Sequence, residues 1–482
     1  MVQFSHSGEK EGQKGGMMGE QIPSEVRERI DEITEAFREQ LMALYVWSYE
    51  EPEDEAPLAM QIEDKIREWV RGIGEDTQSL LLEGMDRNRR KGKTPCPQCG
   101  AEVYWKDYEP RQYITSLGEM HIERAYYHHG ACHCGWVPLD ERLGLGASEL
   151  SPLVQEMVSY LGGFMPFARA QVYLSRYQGI HISHDVVNDT TVVVGQALRE
   201  KQEEAVRRAW AECELPDCER VTAPKRLYVS ADGINYLLPD GQGKEIRVAA
   251  IYETEERQNK KGGTEIHAVD IEYVVATDPE ALARAAYLAA VKRGAELAEE
   301  IITSGDGANW IWNRITPMFP RQKSTEVLDF YHVSEYIWDA GNAVWGQETE
   351  DAKDWGKKQC HTLKHEGPDG VLQALRTLCP ADTSPLEPVT KAITYFENQG
   401  QRMDYPSYTQ RGLQIGSGSA ESAVKQVVGA RINQAGMRWA PEHAEAVAHV
   451  RAAILSNRWD DFWSDFRPPP RQYQQKELPL AA

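Results

Sequence analysis

The 482-residue sequence predicts a multidomain α+β protein, and three observations predict it. Two cysteine clusters about thirty residues apart enclose stretches of alternating polarity, the pattern of short strands pinned by a metal. From Arg226 three alternating stretches give way to helix and strand in turn, as in a mixed sheet with helices packed on it. From Ser334 to about Arg411 the signals are helical and tryptophan-containing, with no clear strand.

Composition bounds the function. With 41% hydrophobic and 27% charged residues the chain is globular, and no run of eighteen apolar residues suggests a transmembrane helix. The opening "MVQFSHSGEKEGQKGGMMGE" lacks the apolar segment of a secretory signal, so 1–19 is expected to be a flexible tail. Eight cysteines are too few for a disulfide scaffold in a chain this long, and four of them crowd together, which favours metal ligation in a reducing compartment. The net charge of −22 argues against nonspecific coating of nucleic acid. Residues 20–90 hold 19 acidic and 9 basic residues, contributing −10 of it.

Taken in order, 20–93 is expected to be a helical arm, with Ile30, Ile33, Phe37, Leu41 and Leu44 at helical spacing and Pro52 and Pro57 dividing it. Such an arm binds a partner or dimerises, and "RNRRKGKTP" (87–95) is a basic linker. A zinc ribbon follows over 94–142. Cys96-x2-Cys99 makes a knuckle, with Gly100 relieving the backbone. Cys132-x-Cys134 is tight for a second knuckle, whereas His129-x2-Cys132 restores the usual spacing with a nitrogen ligand. Cys96, Cys99 and Cys132 are the expected ligands, with His129 and Cys134 competing for the fourth place. A four-ligand site of this kind is structural, because no position stays open for water. Free cysteines in a strand-rich domain are the alternative. Cys213, Cys218, Cys360 and Cys379 lie apart and are expected to be ordinary residues. Over 143–221, helices at Pro152–Leu161 and Phe167–Tyr177 are followed by the turn "QGIHIS" and a long helix capped by Ser183, a helix-turn-helix pattern.

The core falls in two parts, 222–333 and 412–464, with an all-helical insertion at 334–411 and a tail at 465–482. "RLYVSADG", "EIRVAAIYETE" and "HAVDIEYVVATD" are expected strands. A helix (Pro279–Ala298), the strand "EEIITSGDG", a short helix and the strand "EVLDFYHV" follow. Asp232 and Asp306 each stand beside glycine, which an Asx turn would explain. Asp232 lies inside its strand pattern, however, where no turn is available. Asp306 ends a later strand, and parallel pairing would bring both carboxylates to one side of the sheet. Glu421 starts a late helix behind a glycine-serine loop. Three carboxylates so carried can hold two hard divalent cations, Mg²⁺ or Mn²⁺. Gly233, Gly305 and Gly307 would let a DNA backbone come close.

This order, Asp on the first strand, Asp on the fourth and Glu on a late helix, resembles the RNase H-like α/β catalytic core of DDE transposases. The ISKra-type insertion-sequence transposases are the closer match. The resemblance covers nearly all of the chain from Cys96 and includes "CPQCG", "PLDERLGL", "SADG", "SGDGANWIW", "DFYHVSEY" and "GLQIGSGSAES…GMRW". It implies that Asp232, Asp306 and Glu421 are a catalytic triad binding two Mg²⁺ or Mn²⁺ ions. The triad would cleave the element's ends and join them to target DNA through a 3′-hydroxyl. It also implies structural Zn²⁺, terminal repeats and target DNA as partners, a homodimer or higher oligomer, no membrane, and a cytoplasmic, nucleoid-associated location. Asp329 and His332 fall on an Asp-x2-His pattern of Mutator-like relatives. His332 would contact the scissile phosphate, or simply pack at a sheet edge. Trp338, Trp345 and Trp355 in the insertion stack on an unpaired base or belong to the core, and Trp310 and Trp312 pose the same choice. Lys425, Arg431 and Arg438 would contact phosphates or form a solvated face. His129 stands where the family has cysteine, and the acidity is unusual for a DNA enzyme. A catalytically silent DNA-binding regulator and a metal-dependent nuclease without strand transfer are the competing functions. A glycosidase leaves the cysteines and the third acid unexplained.

Overall fold

The structure is a computed structural model and describes residues 22–49, 57–86, 92–258, 262–378, 386–416, 418–469 and 471. The tail expected over 1–19, most of the basic linker, Cys379 and nearly all of 470–482 lie outside these. The described residues form a mixed α/β protein with sixteen α-helices and two sheets. They fall into two units, one drawn from 1–157, 171–182 and 466–482, the other from 158–170 and 183–465. No helix among them is long and apolar enough to cross a membrane.

The first unit begins with α1 (Ser24–Trp47) and α2 (Leu58–Met85). Helix α1 buries none of its residues, and Tyr45 and Val46 are largely exposed. Helix α2 belongs instead to the sheet that follows, made of β1 (Lys93–Pro95), β2 (Glu102–Thr115), β3 (Gly118–His129) and β4 (Cys134–Trp136), antiparallel and in that order. Leu82 of α2 is buried with Tyr113, Met120 and Ile122, and the Asp86 carboxylate accepts from the backbone N–H of Ala125 at 3.0 Å. Helix α3 (Pro138–Leu143) carries the "PLDERL" phrase, and the phrase has a structural reason. Asp140 is buried between the guanidinium groups of Arg111 (2.8 Å) and Arg124 (2.5 Å), both fully buried. The one carboxylate accepts from both guanidinium groups where water cannot reach, and Arg111 also donates to the Gly146 carbonyl at 2.7 Å.

Helices α4 (Pro152–Phe164) and α5 (Phe167–Tyr173), a π-turn (Leu174–Gln178) and α6 (His184–Ala211) follow. Ser183 caps α6 by accepting from Val186 N at 3.2 Å, as its sequence position suggested.

The second unit is built on a five-stranded sheet of β5 (Arg226–Leu237), β6 (Gly243–Gln258), β7 (Thr264–Ala276), β8 (Glu300–Gly305) and β9 (Ser324–Leu328). Its order is β7-β6-β5-β8-β9, with β7, β6 and β5 antiparallel and β5, β8 and β9 parallel. The chain crosses from β7 to β8 through α7 (Pro279–Lys292), capped by Asp278 and buried through a run of alanines that lets it lie close to the sheet. Helix α7 stops at Lys292, short of the expected Ala298, because Gly294 turns the chain at φ +85°.

One expected strand is divided. β9 ends at Leu328, and the Asp329 side chain accepts from Tyr331 N (2.6 Å) and His332 N (3.0 Å), capping α8 (Phe330–Trp345). The segment "DFYHV" is thus a helix start. Helices α9 (Glu350–Glu366), α10 (Pro368–Thr377), α11 (Glu387–Gln399) and α12 (Tyr405–Gln410) complete the strand-free stretch. Trp338, Trp345 and Trp355 are packing residues there. The Trp338 indole fills the space a side chain at Gly356 would need, and Trp345 and Trp355 lie 5.5 Å apart. The chain ends with α13 (Gly418–Val424), a π-turn (Lys425–Gly429), α14 (Ala430–Ile432), α15 (Pro441–Leu455) and α16 (Trp459–Asp465).

Candidate functional site: a carboxylate cluster and a Cys/His centre

Strands β5 and β8 pair in parallel with Ser230 opposite Ser304. Two residues further on, Asp232 is still within β5 and Asp306 is the first residue past β8, so both lie at the same end of neighbouring strands. Helix α13, which carries Glu421, packs on β5 and β6. The charges of the other two bear on Asp232. Burial lifts its carboxyl to about 6, and the charges of Asp306, Glu421 and Glu245 add to the rise against the opposing Gly233 N–H.

A polar seam beneath the aspartates ties the sheet to the Glu421 helix. Ser230 and Ser304 share a hydrogen bond between hydroxyls, and the Ser230 hydroxyl also meets the Tyr252 hydroxyl at 3.0 Å. Tyr252 donates to Gln414 Oε1 at 3.0 Å, and Ser419 donates to the same oxygen at 3.4 Å. Tyr228 stacks on Tyr252 with centroids 5.2 Å apart and accepts from Gln414 N at 3.4 Å. Sequence reasoning missed these residues. A signal existed: both aspartates follow a serine two positions earlier, in "SAD" and "SGD".

Each aspartate is also engaged locally. Asp232 Oδ1 accepts from Gly233 N at 2.7 Å, and Asp306 Oδ1 accepts from Ala308 N at 3.0 Å, so Asp306 does make the Asx turn. Glu421 pairs with Lys425 one helical turn on. The expected Mg²⁺ or Mn²⁺ is not supported by a preformed cage. Among the described residues, only a Cys/His group brings three or more ligand atoms within 4.8 Å of one another. The glycines have internal reasons. Side chains at Gly233 and Gly305 would strike Glu245 and Ile311, and Gly307 sits at φ +96° under the Tyr395 hydroxyl.

His332 is near this cluster but acts on it only through others. Its Nδ1 lies 3.3 Å from Glu335, and its ring stands edge-on to Tyr336 and Tyr395. Tyr395 in turn donates to the Asp306 carbonyl at 2.9 Å. Of the three basic residues, Lys425 and Arg438 are exposed, Arg438 donating to the Pro239 carbonyl at 3.1 Å. Arg431 corrects the expectation of a phosphate contact. It is 1% exposed, donates to the Gly162 carbonyl at 3.0 Å, and lies between the rings of Phe167 and Trp439 at 4.6 and 4.9 Å. Trp312 is buried against Arg402, and Trp310 is half-buried beside Arg247.

The second centre is formed by Cys96, Cys99, His129 and Cys132. His129 Nδ1 lies 3.1 Å from Cys132 Sγ and 3.5 Å from Cys99 Sγ. Histidine, not Cys134, therefore completes the group, and Cys134 stands just outside it on β4. Burial would raise the Cys96 thiol, but the N–H groups of Gln98 and Cys99 and the His129 ring bring it down to about 6. With three sulfurs and one nitrogen, the group is compatible with a structural zinc. Cys213 and Cys218 are exposed, and Cys360 is half-buried.

These features define a mixed α/β protein with a Cys/His metal-ligand group and a carboxylate cluster at one end of its larger sheet. Residues 59–459 match the model of UPF0236, described as an uncharacterised protein family, and the chain belongs to that family. It is similar to the "UPF0236 protein in vanSb 3'region" of Streptococcus gallolyticus, 24% identical over 371 residues that cover 75% of this chain and 76% of the relative. This overturns the assignment to the ISKra-type insertion-sequence transposases. The matching family is described as uncharacterised, and the relative is named for that family and not as a transposase. Phrases such as "SGDG" and "PLDERLGL" answer to local needs, an Asx turn and a buried ion triad, and so do not identify a lineage.

Proposed function

We propose that the chain hydrolyses DNA in a metal-dependent reaction, water attacking a phosphodiester and the 3′-oxygen leaving, and that the freed 3′-hydroxyl then attacks a phosphodiester of a second DNA, whose own 3′-oxygen leaves. Asp232, Asp306 and Glu421 act as the ligand triad of an RNase H-like core. The carrying observation is the parallel pairing of Ser230 with Ser304 two residues before each aspartate, together with the charges of Asp306 and Glu421 that bear on the buried Asp232. Such a surplus of negative charge is what a cation would relieve. When bound, two Mg²⁺ or Mn²⁺ ions would polarise the phosphodiester and acidify the attacking hydroxyl. The protein's own part is to hold carboxylate oxygens rigid. Asp232 is held within β5, Asp306 by the turn that follows β8, and the start of the Glu421 helix is tied to the sheet through Ser419 and Gln414. His332 and Tyr395 position the Asp306 backbone. Lys425 and Arg438 are the remaining phosphate contacts.

The Cys/His centre is read as the zinc ribbon, and α4 to α6 as a helix-turn-helix, together recognising specific DNA ends. Self-association through α1, whose apolar residues are exposed, would bring two ends together.

The test is cleavage of duplexes copied from the DNA flanking this reading frame, with Mg²⁺ or Mn²⁺, comparing wild type with Asp306→Asn. Nicking at a fixed position followed by strand joining, both absent in the variant, supports the proposal. Nicking without joining would reduce it to a nuclease, and tight binding without nicking to a regulator.

A further inference from the structure

A groove of about 530 Å³ opens directly beside Asp306, and its lining differs from the rest of this acidic chain. Gly307, the next residue, is part of it, as is Tyr395, whose hydroxyl holds the Asp306 carbonyl. The size falls in the roughly 300–1,000 Å³ range of ligand clefts. Although the chain carries a net charge of −22, no carboxylate lines the groove. Asn309 and Asn313 from the turn after β8 and Thr394 and Asn398 from α11 line it, and all four are exposed. Lys391 and Arg402 are its cations, paired with Glu387 and Glu326, which lie outside the lining. Tyr336 stacks on Tyr395 at 4.1 Å with the rings 12° apart.

We infer that this groove holds an unpaired nucleotide of the DNA strand entering the carboxylate cluster, an inference that rests on the function proposed above. Amide side chains both donate and accept, as base edges do. Aromatic rings can stack a base, and the lining carries two cations and no carboxylate of its own. Continuity with Asp306 through Gly307 and Tyr395 singles out the nucleic-acid strand over a peptide.

The experiment uses full-length protein in Ca²⁺ buffer and single-stranded oligonucleotides carrying 4-thiothymidine. Photo-crosslinks are expected within 307–313 or 390–402. Asn398→Asp, which adds a carboxylate at an exposed position, is expected to weaken single-strand binding roughly tenfold while duplex binding is unchanged. Asn398→Gln is expected to restore it. Crosslinks confined elsewhere, an unaffected Asn398→Asp, or tighter binding of an RNA oligomer would overturn the inference. Nicking by wild type without groove crosslinks would reject the groove alone. Groove crosslinks without nicking would reject the catalytic reading and leave the nucleotide site standing.

Discussion

At Asp232 the charge balance makes a prediction that needs no substrate. Its carboxyl is lifted to about 6, against an ordinary value of 3.8. The folded protein therefore binds a proton between those values that the unfolded chain has released. Stability from this group is intact below 3.8 and lost as pH rises through about 6. Metal-free Asp232→Asn is expected to be more stable than wild type at pH 8, by on the order of 1–3 kcal/mol, and equal to it near pH 3.5. Denaturant titration at the two pH values measures this; an equal gain at both would show that the carboxylate is not strained by its neighbours. Arg431 carries the opposite expectation. Held by the Gly162 carbonyl and two rings, Arg431→Ala should cost about 2–4 kcal/mol of stability. Thermal unfolding beside Lys425→Ala, whose side chain is exposed, separates the two cases. The sequence could not reveal this difference, because the partner of Arg431 lies 269 residues away.

At the scale of elements, local patterns were legible and their limits were set by capping and distant pairing. Alternation predicted β2, β3 and β5 to β8, and Ser183 marked the start of α6. The strand expected in "EVLDFYHV" is mostly apolar or aromatic on both sides of Asp329, so nothing in its periodicity marks the change at Leu328. The Asp329 carboxylate makes that change by capping the helix. Spacing left the fourth ligand of the Cys/His centre open between His129 and Cys134, and the fold selects His129. His129→Ala should lose the bound zinc and Cys134→Ser should keep it, as measured by metal analysis of the purified proteins. In the same unit, Asp140→Ala leaves Arg111 and Arg124 buried without their shared carboxylate. It is expected to cost about 3–5 kcal/mol, measured by denaturant unfolding. A loss under about 1 kcal/mol would mean that water reaches the two guanidinium groups.

For the whole molecule, mixed α/β architecture was predictable from the change of period at Arg226 and the cysteine spacing. What no local pattern carries is the register of β5 against β8 and the packing of α13 on that sheet. Those long-range facts bring the charges of Asp306 and Glu421 to bear on Asp232. Short motifs were a poorer guide to ancestry than to structure, since the chain belongs to UPF0236. The central claim is that three carboxylates from two strands and a helix form one cation site. Its most direct test is a Mn²⁺ titration followed by electron paramagnetic resonance, comparing wild type with Asp306→Asn and Glu421→Gln. Mn²⁺ is expected to be bound by wild type near neutral pH, displaced by Mg²⁺, and lost or weakened at least tenfold in both folded variants. Equal binding by all three proteins, or none by wild type, would contradict it.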